Sequence, residues 1–245
     1  VLFIVQTYLS SPGQRVPKAE TRAQAPSVAC TYTVDSDAGL LDANGKVLPG
    51  QTVCLYSGIY NTLLRPNRPG TSTQAITYRK EGSGTIILRA GVNMNGLSNI
   101  ILDDIEIKAT NDSPTYIDLS YSNRITLQNC RLTPEAPGLP GHPPVNMRNT
   151  TYATIRNCFL EGTNTSYNDL IQLYGDSHHN LIENNRLEQA SHSLILITEN
   201  GSLNDSPHHN IIRNNYLISD YHHCTNIMNE SDNNIYEGNI FARCG

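Results

Sequence analysis

The amino-acid sequence predicts an all-β solenoid of short strands wound into superposed coils, and three observations predict it. Five segments can be laid on one another: Ile125–Leu132, Ala153–Leu160, Asn180–Leu187, Asn210–Leu217 and Asn234–Phe241, with Ile100–Ile107 as a looser copy. They recur at steps of roughly 24 to 30 residues, which signals a repeat architecture. Within each copy apolar and polar residues alternate with period two and the chain then bends at a polar residue, which is the pattern of a strand and not of a helix. Two residues before the bend stand Arg156, Glu183, Arg213 and Glu237. Opposite charges on stacked strands favour this register, since like charges side by side are destabilising.

Each element follows in order. One coil cannot bury its own inward face, whereas stacked coils about 4.8 Å apart share a continuous core. At the bend, Asn185, Asn215 and Asn239 can form a ladder in which each amide satisfies the next and the turn backbone. Cys130 and Cys158 hold the same position in earlier coils. The strand preceding each bend has inward residues Val92 and Met94, Ile117 and Leu119, Val145 and Met147, Ile171 and Leu173, Ile195 and Ile197, then Met228. Its outward residues form a polar stripe: Asn93, Asn95, Asp118, Ser120, Asn146, Arg148, Gln172, Tyr174, Thr198 and Asn229.

Leu48-Pro49-Gly50-Gln51-Thr52-Val53-Cys54-Leu55-Tyr56-Ser57-Gly58-Ile59-Tyr60, Ala75-Ile76-Thr77-Tyr78-Arg79 and Asn99-Ile100-Ile101-Leu102-Asp103-Asp104-Ile105 match successive opening segments of one known group. With the ladder, they make the chain from about residue 47 onward resemble the right-handed parallel β-helix proteins of the pectin-lyase-like superfamily. The resemblance implies an all-β, right-handed parallel β-helix of short parallel strands with an Asn ladder. In enzymes similar to this group the catalytic groove lies on or beside the face of the polar stripe. The fold itself hosts lyases, hydrolases, adhesins and phage spikes, so activity has to be argued from the site.

Composition narrows the classes. A net charge of −5 argues against a nucleic-acid binder, which carries a basic face. No apolar run reaches the length of a membrane-spanning helix. Residues 1–28 read as a signal-like or extended N-terminal segment, with an apolar start and a small-residue Ala23-Gln24-Ala25 pattern. Residues 29–245 read as the β-helix domain, and the location as secreted or cell surface. The last coil has no evident cap before Gly245, so the natural chain continues or a partner covers its strand edges by self-association. The six cysteines fit an exported chain. Cys30 with Cys54 and Cys224 with Cys244 are candidate disulfides. Cys130 and Cys158 are stacked neighbours, either bonded or as buried thiols.

Two constellations carry chemistry. Asp118 and Arg148 fall on neighbouring coils within the stripe. An arginine can neutralise a uronate carboxylate through paired hydrogen bonds, so that a nearby base starts β-elimination. An aspartate can instead act as acid or bind Ca²⁺ as a cofactor; the plain alternative is a surface salt bridge. Second, Asp169, His192 and His222 or His223 gather at one corner over three coils. A carboxylate beside imidazoles sets up a general base, or the same set binds a metal, and the plain alternative is a capped turn with exposed histidines. Asn146, Gln172 and Tyr174 would line the substrate groove. With no Trp in the chain, sugar stacking falls to tyrosines such as Tyr167, Tyr174, Tyr216 and Tyr221.

The matched segments Asp176-Ser177-His178-His179-Asn180 and Asp205-Ser206-Pro207-His208-His209-Asn210 read as turns, with a metal site as the alternative. Loops at 134–144, with His142, and 199–207 would wall the groove. The function expected is action on, or binding of, an extended acidic polysaccharide. A polysaccharide lyase is favoured over a glycoside hydrolase because the stripe lacks a close set of carboxylates. The alternatives are a non-enzymatic adhesin or filament protein, and a carbohydrate-binding module without turnover.

Overall fold

The computed structural model describes residues 29–108, 117–134, 145–162, 169–199, 205–220, 222–228 and 231–244. The signal-like segment, residues 135–144 and 200–204 of the two loops with His142, and Tyr167, Tyr221 and Asn229 lie outside them. Every strand pairing between coils is parallel, and the strands line up in three sheets of nine, eight and six. Each coil from Ile76 to Ile227 contributes one strand to each sheet in turn, so residues roughly 24 to 30 apart in sequence become lateral neighbours.

The core runs down the axis. Ile100, Leu102, Ile125, Leu127, Ile155, Ile182 and Ile212 enter from the first sheet, and Ile117, Val145, Met147, Ile171, Leu173, Ile195 and Ile197 from the third. Alternation places their neighbours outside. The charge column stands in register, Arg156 against Glu183 against Arg213 against Glu237. Arg213 pairs with Glu183 at 2.7 Å and with Glu237 at 3.8 Å, whereas Arg156 turns to Gln128 Oε1 at 2.6 Å.

The bend after the first sheet is fixed by the expected ladder. Asn185 Nδ2 donates to Asn215 Oδ1, and Asn215 Nδ2 to Asn239 Oδ1, both at 3.0 Å. The residues before the ladder, Asn184 and Asn214, take left-handed φ of 55° and 54°, a conformation Asn tolerates. A second ladder, not foreseen from the sequence, runs Asn180–Asn210–Asn234 with steps of 2.9 Å. It fixes the bend that precedes the first sheet.

Cys30–Cys54 and Cys224–Cys244 are disulfides. Cys130 and Cys158 are buried free thiols, with the Cys130 backbone N–H donating to Cys158 Sγ at 3.4 Å. Contact with Cys158 and burial push the Cys130 thiol well above its usual range.

Two sequence expectations change. A helix, Asp37–Lys46, precedes the coils and packs Leu40 and Ala43 into the core, with Ser36 Oγ accepting from the Gly39 N–H as its N-cap. In the last coil Ile227, not Met228, is the register partner of inward Ile197. The chain reaches that strand one residue earlier, because His223 aligns with Ser193 and not with His192.

Candidate functional site

The polar stripe is the outer face of the third sheet. Asn93, Asp118, Asn146, Gln172 and Leu196 form one column across it. A second column places Arg148 beside Tyr174 and Thr198. Leu196 interrupts the polar pattern and is buried.

Asp118 and Arg148 lie on adjacent coils and form no ion pair among the described residues. The Asp118 carboxylate is turned into its own strand end. Oδ1 accepts from the Ser120 hydroxyl at 2.6 Å and its backbone N–H at 3.0 Å, and Oδ2 from Asn95 Nδ2 at 3.3 Å. Asn146 Nδ2 donates to Ser120 Oγ at 3.2 Å. Ca²⁺ requires about six to eight oxygen ligands. The stripe offers one carboxylate, already engaged, so its residues do not fit that ion. The Cys30, Cys54 and Glu81 group brings three ligand atoms together, but both sulfurs are bound in a disulfide.

The Arg148 guanidinium lies between two aromatic rings, 5.6 Å from the Tyr121 centroid and 5.5 Å from that of Tyr174. Its Nε and the Oδ1 of Asn146 are buried without a hydrogen-bond partner. Unfilled polar atoms of this kind call for an explanation, and a ligand is one. Tyr121 was missed in the sequence. Its signal was its place directly after stripe residue Ser120, at a left-handed corner with φ 56° that swings the ring over the face. Gly175 holds the matching corner after Tyr174 at φ 64°, where a Cβ would overlap Asn149 Oδ1.

Asp169, His192 and His223 do converge. Asp169 pairs in register with Ser193, and Ser193 with His223. His192 Nδ1 lies 2.9 Å from Asp169 Oδ1. The rings of His192 and His223 meet edge-on with centroids 6.4 Å apart. Asp169 is only 8% exposed. Burial raises its carboxyl above the usual range, against the lowering effect of hydrogen bonds from His192 and Ser193. A carboxylate accepting from Nδ1–H fixes the imidazole tautomer and makes Nε2 the basic nitrogen. The corner can therefore accept or return a proton. Ser193, the buried second partner of Asp169, was not singled out in the sequence because a serine at a strand start is commonplace.

The two constellations stand apart. Arg148 registers with Tyr174, and Asp169 begins the same strand five residues earlier, about 16 Å away at ~3.3 Å per residue. An extended polymer can touch both; one sugar unit cannot.

The histidines of the two matched turns form a third cluster. His178 stacks on His208 with centroids 4.9 Å apart, and His179 on His209 at 5.3 Å. Burial lowers the His178 imidazole below its usual value, and the neighbouring imidazoles add to this against Asp176.

Comparison with known proteins bears on the fold. Residues 89–245 match the family described as right handed beta helix region. No curated protein is significantly similar in sequence. Among solved structures, alginate lyase from Paenibacillus sp. str. FPU-7 aligns with 87% of this chain and 98% of its own at TM-score 0.53 and 14% identity. Pectate lyase Bsp165PelA from Bacillus sp. N165, in complex with trigalacturonate, aligns with 87% of this chain and 83% of its own at TM-score 0.55 and 14% identity. The ORF18 protein of Geobacillus virus E2 aligns with 88% of this chain and 49% of its own at TM-score 0.57 and 11% identity. At such identities the likeness is one of fold. What these neighbours share with the chain is the parallel β-solenoid.

Proposed function

The chain belongs to the right-handed β-helix family, and on that premise we propose that it is a secreted carbohydrate-active protein acting on an extended acidic polysaccharide laid along its third sheet. The observation that carries this reading is Arg148. Its charge is flanked by Tyr121 and Tyr174, it has no carboxylate partner among the described residues, and its Nε is buried and unfilled. A uronate carboxylate would complete it through charge-assisted hydrogen bonds, with the tyrosine rings offering stacking faces. Asn146 and Gln172 line the same strip. The neighbouring folds include proteins named as alginate and pectate lyases, which is compatible with this substrate class. The two disulfides are compatible with an oxidising, extracellular location.

β-Elimination is favoured over hydrolysis. Glycoside hydrolysis uses two carboxylates flanking the scissile bond, and Asp118 is the single carboxylate in the stripe columns among the described residues. In the elimination, His192 Nε2 takes the proton α to the uronate carboxylate. The electron pair forms the new double bond, the glycosidic C–O bond at the next carbon breaks, and the leaving oxygen takes up a proton. Asp169 orients His192, and His223 beside it would face the carboxylate of the reacting unit. Arg148 would bind a different unit of the same polymer, and Asp118 would serve as groove lining.

Incubation with a panel of uronic-acid polymers, followed by the absorbance of unsaturated product, tests this. The expected result is product with the wild type and a loss of at least 100-fold in His192→Ala, the usual scale for a general base. No product with any such polymer, or undiminished rates in both His192→Ala and Arg148→Ala, would remove the reading. Saccharide release without unsaturation would select hydrolysis, and binding without product a carbohydrate-binding module.

A second reading is a surface or filament protein that self-associates. It draws on the exposed apolar residues Ile227, Met228, Ile240 and Phe241 of the last coil. Light scattering that finds a monomer across the accessible concentration range excludes it.

A further inference from the structure

The repeat places His178-His179 and His208-His209 on successive coils, at the bend before the first sheet. In an extended strand, consecutive side chains point to opposite faces. Here the second histidine of each pair is left-handed, with φ 56° at His179 and 54° at His209, so both rings swing to the same side. The result is a close approach of like atoms. His178 Nδ1 lies 2.8 Å from His179 Nδ1, and His208 Nδ1 lies 2.7 Å from His209 Nδ1. Across the stack the rings are nearly parallel, at 8° and 4°.

Asp176 adds a direction. Its Oδ1 lies 3.2 Å from His208 Nε2, and its backbone N–H is held by Asn149 Oδ1 at 2.8 Å. A carboxylate on Nε2 keeps the proton there and leaves the Nδ1 lone pair facing His209. Metal-ligating histidines have this outer carboxylate, which sets tautomer and ring orientation. Two nitrogens each about 2.0–2.1 Å from one metal stand about 2.9 Å apart at right-angle positions and about 3.4 Å apart at tetrahedral ones. The observed spacings match the first arrangement.

We propose that His208 and His209 form a two-nitrogen chelate for a late first-row transition-metal dication, oriented by Asp176, and that His178 and His179 repeat the chelate one coil away. Without metal, each pair is joined by an Nδ1–H···Nδ1 hydrogen bond. Binding moves that proton, through solvent, to the bare Nε2 of the same ring, so both imidazoles stay neutral and both Nδ1 lone pairs face the cation, with the remaining positions filled by water. The right-angle geometry and the general affinity order favour Cu²⁺, then Ni²⁺, then Zn²⁺. This site lies at a different bend from Asp169 and His192 and does not depend on the proposed polysaccharide chemistry.

The test is titration of chelator-stripped, untagged protein with Cu²⁺, Ni²⁺ and Zn²⁺ salts, read by calorimetry and, for Cu²⁺, by electron paramagnetic resonance. The informative variant is His179→Asn with His209→Asn. Asn99 and Asn233 hold left-handed corners with φ 56° and 55°, so this change preserves the turn, and circular dichroism confirms the fold. The expected result is saturable binding in the order Cu²⁺, Ni²⁺, Zn²⁺, a two-nitrogen Cu²⁺ signature, and at least a tenfold loss of affinity in the double variant. Asp176→Asn should weaken binding about tenfold, in line with losses of outer-shell partners. His192→Ala with His222→Ala should bind as the wild type does. No binding by the wild type, a one-nitrogen signature, or affinity retained in the double variant would overturn the proposal.

Discussion

At the ladder bend every buried amide has its partners, whereas on the third sheet comparable polar groups are left wanting. Asn215 Oδ1 accepts from the backbone and side chain of Asn185, and its Nδ2 donates to Ile182 O and Asn239 Oδ1. Asn146 Oδ1 and Arg148 Nε are just as enclosed and have none. Since a buried unfilled polar atom costs about 1–3 kcal/mol, a fold keeps one where something else supplies the partner. The contrast separates residues that hold the solenoid together from residues whose partner, in the proposed function, is a ligand.

The largest effect expected on stability is at the ladder. Asn215→Ala strands the Asn185 backbone and amide donors and the Ile182 carbonyl, so urea denaturation should show a loss of about 3 kcal/mol or more. A loss below about 1 kcal/mol would erase the distinction. Arg148→Ala should do the reverse. It forfeits cation–π contacts worth about 0.5–1 kcal/mol each, so its midpoint stays close to wild type while KM for a uronate polymer rises at least tenfold. A large unfolding shift without a KM change would make Arg148 structural.

Asp169→Asn combines both signs. Burial raises the folded-state carboxyl of Asp169 above its unfolded value of about 3.9. Below that value both states hold the proton. As pH rises through the raised folded value, the folded chain keeps a proton that the unfolded chain releases, and the wild type loses stability. The Asn variant should therefore melt higher than wild type at neutral pH, with the gap closing toward pH 3, while losing activity because His192 loses its orienting carboxylate. Equal melting at both pH values would contradict this. The smallest effect concerns Cys130, whose raised pKa and burial predict no reaction with thiol reagents in the native protein and full reaction in denaturant.

Legibility in the sequence followed period. Columns that recur along the chain showed their register in the middle coils, Arg156 against Glu183 and Asn185 against Asn215; Asp169, His192 and His223 were gathered at one corner, but there the register sets Asp169 and His223 against Ser193 and not against His192. The Asp37–Lys46 helix escaped because it occurs once and no copy exposes it. Tyr121, Ser193 and Leu196 escaped for a different reason. Their roles depend on a left-handed corner, a strand start and a covered face, none of which alternation encodes. The separation of Arg148 from Asp169 along the strand, roughly 16 Å, was hidden as well, since a stripe read from sequence orders residues without showing which strand ends meet.

The most direct test of the account is equilibrium binding of a uronate polymer and of a neutral polysaccharide of equal length, measured side by side for the wild type and Arg148→Ala. The account predicts that the wild type holds the uronate polymer at least ten times more tightly and that Arg148→Ala loses this preference while remaining folded. Equal affinities in the wild type, or a preference untouched by the substitution, would contradict it.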